Sequence, residues 1–140
     1  MKHLFALLSP LLLAASSATA QKTTMVIIAN RSTHAEAMNA GEVRELFTGT
    51  ATRFKDGAPA VIVLLRGGPS QDAFLKEYIG KGDSSFRTGW RTLVFTGQAS
   101  MPRSLDEEAA VVNYVASTPG AIGYVSRAVA RDNVITIAVR

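Results

Sequence analysis

Five unbroken apolar residues, Val61-Ile62-Val63-Leu64-Leu65, narrow the choice of fold more than any other part of this chain. A strand with no polar alternation must be covered on both faces, as in a sheet sandwiched between helices. Arg66-Gly67-Gly68 then turn the backbone, and Pro69-Ser70 have the composition of a helix start. A helix start presents unpaired N–H groups and a partial positive charge, both of which favour an anion. Arg66 adds a full charge on a planar fork that matches carboxylate or phosphate oxygens. Arg66, Gly67, Gly68, Ser70 and Gln71 are therefore a candidate oxyanion seat, offering guanidinium, backbone N–H, hydroxyl and amide groups. The plainer reading of the same residues is a connection in which glycines turn the chain, Ser70 caps the helix and Arg66 pairs with a nearby acid. Asp72 has two readings as well. It accepts the proton that phosphate keeps near neutral pH and sulfate lacks, or it simply favours the helix start.

The rest of the chain alternates strands with helices. Thr24 to Ala29 reads as a strand, followed by polar Asn30-Arg31-Ser32-Thr33. Open α/β sheets bind ligands at the carboxyl edge of their strands, so Arg31 and Ser32 are candidates for the same anion, with a polar surface loop as the alternative. Asn39 and Glu42 have capping-box spacing; Val43, Leu46 and Phe47 share one helical face, and Gly49 sits where that helix would stop. Asp56-Gly57 marks a turn. The helix after Ser70 puts Ala73, Phe74 and Tyr78 inward and Asp72 and Lys76 outward, until Gly80 to Asp83 break it. Ser84 to Phe95 reads as a short helix with Trp90 in the core and Arg87 and Arg91 solvated on either side. Ser104 and Glu107 form a second capping box, before a stripe of Leu105, Ala109, Val112 and Val115. Pro119-Gly120 ends that helix, and strands follow at 121–125 and 134–139. This order implies an α/β fold with a partly parallel sheet.

The first twenty residues have the pattern of a cleaved signal peptide: Lys2-His3, an apolar stretch from Leu4 to Ala15 broken only by Ser9 and Pro10, and Ala18-Thr19-Ala20 as the cleavage site. Cleavage before Gln21 leaves residues 21–140 as one exported, periplasmic domain without a membrane anchor. There is no cysteine, so no disulfide framework. The formal net charge is +4, of which Lys2 supplies one, and the arginines are scattered instead of forming the stripe that a nucleic-acid backbone requires. His34 is the only histidine beyond the leader. No metal cluster, cofactor fingerprint or base-activated nucleophile is visible, and an enzyme is not expected.

A further stretch, Ser117-Thr118-Pro119-Gly120-Ala121-Ile122-Gly123-Tyr124-Val125, resembles the phosphate-binding protein of bacterial phosphate ABC transporters. Val43-Arg44-Glu45-Leu46-Phe47-Thr48-Gly49 is similar to that family's Ile-Phe-x-Gly segment, and Asp56-Gly57, Arg66 with Ser70, Trp90, Phe95-Thr96-Gly97 and Pro102 follow in the family's order. The likeness runs from about residue 25 to 126. It implies a periplasmic-binding-protein-like lobe, with a mixed, mostly parallel sheet flanked by helices. The family has two lobes that clamp the ligand between them, and this chain has length for about one lobe and the crossover strand. The family's Arg and following Ser-Gly-Thr at a helix start help bind phosphate. Arg66 and Ser70 match, Gln71 and Asp72 stand in place of Gly and Thr, and Phe54 replaces a Trp. The likeness therefore implies a receptor for inorganic phosphate or a similar oxyanion, with an ABC permease or a second copy of the chain as partner. The alternative is a single-lobe interaction or sensor module of the cell envelope that no longer binds phosphate.

Overall fold

The structure, a computed structural model, describes residues 25–140. The expected signal peptide and its cleavage point lie outside the described residues. Six strands form one sheet: β1 (Met25–Ala29), β2 (Ala37–Met38), β3 (Val61–Leu65), β4 (Arg103–Leu105), β5 (Ala121–Ser126) and β6 (Ile135–Val139), in the order β2-β6-β1-β5-β3-β4. β3 pairs in parallel with both β4 and β5, and β2 in parallel with β6. β1 is antiparallel to β5 and to β6, so it alone runs against the other five. The expected mixed, mostly parallel α/β sheet is present.

Helices cover both faces, which is why β1, β3 and β5 tolerate nearly continuous apolar sequence. On one face lies α4 (Glu108–Ser117), whose Val111 and Val115 rest on Gly123 of β5. A methyl carbon at Gly123 would stand 3.0 Å from Val111 Cγ1, so this glycine is set by close packing and not by an unusual backbone angle. On the other face are α1 (Ala40–Phe47), α2 (Pro69–Phe74) and α3 (Asp83–Phe95). Phe47 of α1, Phe74 of α2 and Tyr124 of β5 meet there: Phe74 stacks on Tyr124 with centroids 3.6 Å apart, and Phe47 meets both edge-on. All three are fully buried. Removing each such ring from water contributes about 1.5–3 kcal/mol, so this cluster fixes where α2 begins relative to the sheet.

The capping reading of α1 holds: Asn39 Oδ1 accepts from the Glu42 N–H at 2.8 Å, and Glu42 Oε1 accepts from Asn39 Nδ2 at 2.7 Å. The second capping box does not form. Ser104 belongs to β4, in register with Leu64, and α4 starts after Glu107 with no side-chain cap. Parallel pairing to β3 has claimed residues that local spacing assigned to a helix start. α2 continues without a break into a π-helical turn, Leu75–Ile79, which Gly80 ends in the left-handed conformation. The wider turn buries Leu75 and Ile79 and aims the Tyr78 hydroxyl at the Met25 carbonyl, 3.0 Å away. No helix among the described residues is long and apolar enough to cross a membrane.

Candidate functional site

The candidate turn leaves the carboxyl end of β3 between two parallel neighbours. From the carboxyl ends of the adjacent parallel strands β3 and β5 the chain leaves in opposite directions along the sheet, β3 towards β4 and β5 towards β6, and such a point is the usual ligand position in these sheets. The Arg66 N–H is bonded to the Leu105 carbonyl at 3.0 Å, which anchors the start of the turn to β4. Gly68 has φ 94° and ψ −179°, a conformation open essentially to glycine alone. Pro69 follows at the first helical position, and the Asp72 N–H closes onto the Gly68 carbonyl at 3.0 Å. The N–H groups of Ser70 and Gln71 precede that closure and are the open donors of the helix start.

The side chains divide into committed and available groups. Gln71 is only 1% exposed, and its amide is engaged at both ends. Its Oε1 accepts from the Tyr124 hydroxyl, and its Nε2 donates to Asp83 Oδ1 at 3.4 Å. Tyr124 in turn accepts the Leu65 N–H at 2.9 Å, and burial pushes its hydroxyl pKa far above the ordinary tyrosine value. Gln71 therefore offers a ligand its backbone N–H, while its side chain braces the turn against the sheet. Signals for this were available, since Gln71 shares a helical stripe with Phe74, Leu75 and Tyr78.

Arg66 reaches Asp106 at 3.1 Å, with both side chains more than 60% exposed. The plainer sequence reading named such a pair, and an exposed pair of this kind is worth about 0–1 kcal/mol. It is a weak tether. Asp72 is exposed beside the turn. Sequence reasoning left Arg87 in solvent. In the structure its Nε donates to Asp83 Oδ2 at 2.8 Å, and a methyl carbon placed on Gly67 would lie 4.0 Å from its Nη2. That guanidinium holds the Asp83 carboxyl below its usual range, against a smaller opposing effect of burial. A second cation thus stands over the candidate turn.

Arg31 and Ser32 are not brought to this turn. Because β1 runs against β3, its carboxyl end lies at the amino end of β3, and a five-residue strand is roughly 15 Å long. Arg31 donates to the Asp132 carbonyl, and Ser32 Oγ accepts from the Gly120 N–H at 3.3 Å. Asn30 organises that corner: its Nδ2 donates to the carbonyls of Val115 and Ala116, and its Oδ1 accepts the Ser32 N–H. Gly120 has φ 77° there, and a methyl carbon on it would press to 2.8 Å from the Pro59 carbonyl oxygen. Among the described residues no group of three or more His, Asp or Glu side chains is placed to hold a metal ion.

No protein-family model matches the sequence, and no curated protein matches it either. Solved structures do. A protein of Clostridium perfringens assigned as a phosphate ABC transporter substrate-binding protein, solved with bound phosphate, superposes with a TM-score of 0.66 at 20% identity, covering 82% of this chain and 44% of its own. The fold is that of roughly half a phosphate-transport binding protein. An ABC-type phosphate transport receptor from Vibrio cholerae matches with a TM-score of 0.56 at 12% identity, over 82% of this chain and 45% of that one. A possible phosphate binding protein from Planctomyces limnophilus gives 0.59 at 15% identity, over 83% and 41%. The chain thus spans less than half the length of the binding proteins whose fold it shares.

Proposed function

We propose that this chain is an exported, periplasmic receptor for a small oxyanion, with inorganic phosphate the favoured ligand. The observation that carries the reading is the turn after β3. There the open N–H groups of Ser70 and Gln71, a backbone at Gly68 that only glycine adopts readily, and the Arg87 guanidinium near Gly67 lie at a sheet position suited to ligands, with Arg66 beside them on an exposed tether to Asp106. Charge-assisted hydrogen bonds from these donors would hold the ion, with Arg66 exchanging Asp106 for the ligand. The Gly67 and Gly68 backbone lets the ion approach closely, and the Ser70 hydroxyl adds a donor. Asp72 would accept the proton of monohydrogen phosphate and so disfavour sulfate. The role is binding and not catalysis. A transporter permease, or a second copy of the chain, would cover the open side of the turn.

Calorimetric titration of the purified protein with phosphate and then sulfate tests this reading, alongside Arg66→Ala. Phosphate-selective binding that the variant weakens is expected. A folded protein that takes up neither ion at millimolar concentration would sink the proposal. In that case the alternative gains, a lobe reused as an interaction or sensor module of the cell envelope. Phe95 at 93% exposure and Met101 at 66% favour that second reading, because they form an apolar patch on the surface of α3 and the loop after it.

A further inference from the structure

Between the carboxyl ends of β3 and β4 and the buried side of α3 lies a cavity of about 80 Å³. At roughly 30 Å³ for each water, it has room for two or three waters, or for one compact oxyanion in their place. Its polar lining is Gln71, Arg87, Arg91 and Ser104, and Trp90 and Met101 are among its apolar walls. The Gln71 amide is already spent on Tyr124 and Asp83. Arg87 has one carboxylate partner, Asp83, through Nε, which leaves its terminal nitrogens free to reach towards Gly67. Arg91 forms no ion pair among the described residues, and Ser104 Oγ makes no hydrogen bond among them. Arg87 and Arg91 thus both line the cavity, with Asp83 as the one carboxylate paired to either of them. Arg87 and Arg91 are also one helical turn apart, a spacing at which like charges repel. An anion between them would remove that repulsion.

We propose that this cavity is the floor of the oxyanion site, with Arg91 and Ser104 as direct ligand contacts and Arg87 spanning from the cavity to the Gly67–Ser70 turn. The inference rests on the oxyanion reading above and assigns it a deeper set of contacts. The ion is held from α3 and β4 as well as from the start of α2, which gives a single lobe two walls. Arg66 then approaches from the exposed rim.

Trp90 is the only tryptophan in the sequence; it lines this cavity and also the larger one beside Gly49, Ala51 and Tyr114, so its emission is assigned to this place only where the Arg91 and Ser104 variants change it. The experiment titrates the purified protein with inorganic phosphate and follows heat and Trp90 emission together, for the wild type, Arg91→Ala, Arg91→Lys, Ser104→Ala and Arg66→Ala. Expected is an emission change with the same midpoint as the heat. Arg91→Ala should weaken binding about tenfold and Ser104→Ala about threefold, while Arg91→Lys recovers part of the loss. Urea midpoints should stay unchanged for Arg91→Ala, because that side chain is exposed and unpaired among the described residues. Phosphate binding that Arg66→Ala weakens, but that leaves Trp90 silent and Arg91→Ala unaffected, would overturn the inference and leave the oxyanion reading standing. No heat and no emission change in a folded wild-type protein would overturn both.

Discussion

Two polar turns follow two apolar strands in this protein, and their fates differ. The turn after β1 is largely tied down: Asn30 is buried and fully bonded, Ser32 and Arg31 are bonded to backbone, Gly120 packs against Pro59, and the buried Thr33 hydroxyl is left without a partner among the described residues. The turn after β3 keeps two N–H groups open, holds Arg66 on a weak exposed tether and has Arg87 above it. Both contain an arginine and a serine. The difference comes from strand direction, because β1 delivers its turn to the amino end of the parallel strands and β3 delivers its own to the carboxyl end. The first turn serves to fasten the structure, and the second leaves donors open.

The comparison breaks most visibly at Asn30. Asn30→Ala removes bonds to Val115, Ala116 and Ser32 at a buried position, and should cost about 2–4 kcal/mol in urea unfolding while leaving phosphate affinity unchanged. Loss of phosphate binding at full stability would instead mean that the two turns are coupled. Tyr124→Phe comes next: it leaves the Leu65 N–H and the Gln71 carbonyl oxygen unpaired, for an expected loss of about 1–3 kcal/mol. The wild-type hydroxyl has its folded pKa raised, so its contribution is full below the ordinary tyrosine pKa of 10.0 and fades as the pH rises beyond it. Chemical denaturation from pH 9 upward should therefore show a steeper decline in the wild type than in Tyr124→Phe. Gly68→Ala, which forces a side chain into a glycine-only conformation, should cost about 1–3 kcal/mol and disrupt binding as well.

Smaller effects sharpen the contrast. Arg66→Ala should shift stability by less than about 0.5 kcal/mol, since its partner is equally exposed, yet weaken phosphate binding about tenfold. Equal losses in both measurements would make the Asp106 pair structural. Asp83 should give the faintest signal. Arg87 lowers its folded pKa below 3.8, so the pair contributes fully above that value and is lost as the pH falls through the folded pKa. Asp83→Asn should flatten that acid limb of the stability profile.

Much of the frame was legible in the sequence because the longer elements carry unbroken apolar runs or complete caps. β3 falls on Val61–Leu65 as expected, and α1 starts behind Asn39. What escaped is what depends on distant partners. β4 is three residues, Arg103-Ser104-Leu105, with no apolar run, and it exists because β3 lies beside it. Ser104 and Glu107 carried a helix-start signature whose hydrogen bonds never form. At the site, Arg66, Gly68 and Ser70 were visible as a turn, but hydrophobic periodicity contains no strand direction, so Arg31 and Ser32 were grouped with them. The helical stripe shared with Phe74 and Tyr78 turns Gln71 inward, but its partners Tyr124 and Asp83 are distant in sequence and local spacing does not name them.

The reversed strand also has a consequence in time. β1 comes first in the described chain, yet its neighbours in the sheet are β5 and β6, the last two strands. Its residues have no strand partners until nearly the whole polypeptide is present, and closing so long a loop is slow. The sheet interior is completed late, and a chain shortened before Ala121 would leave Met25–Ala29 with nothing to pair against.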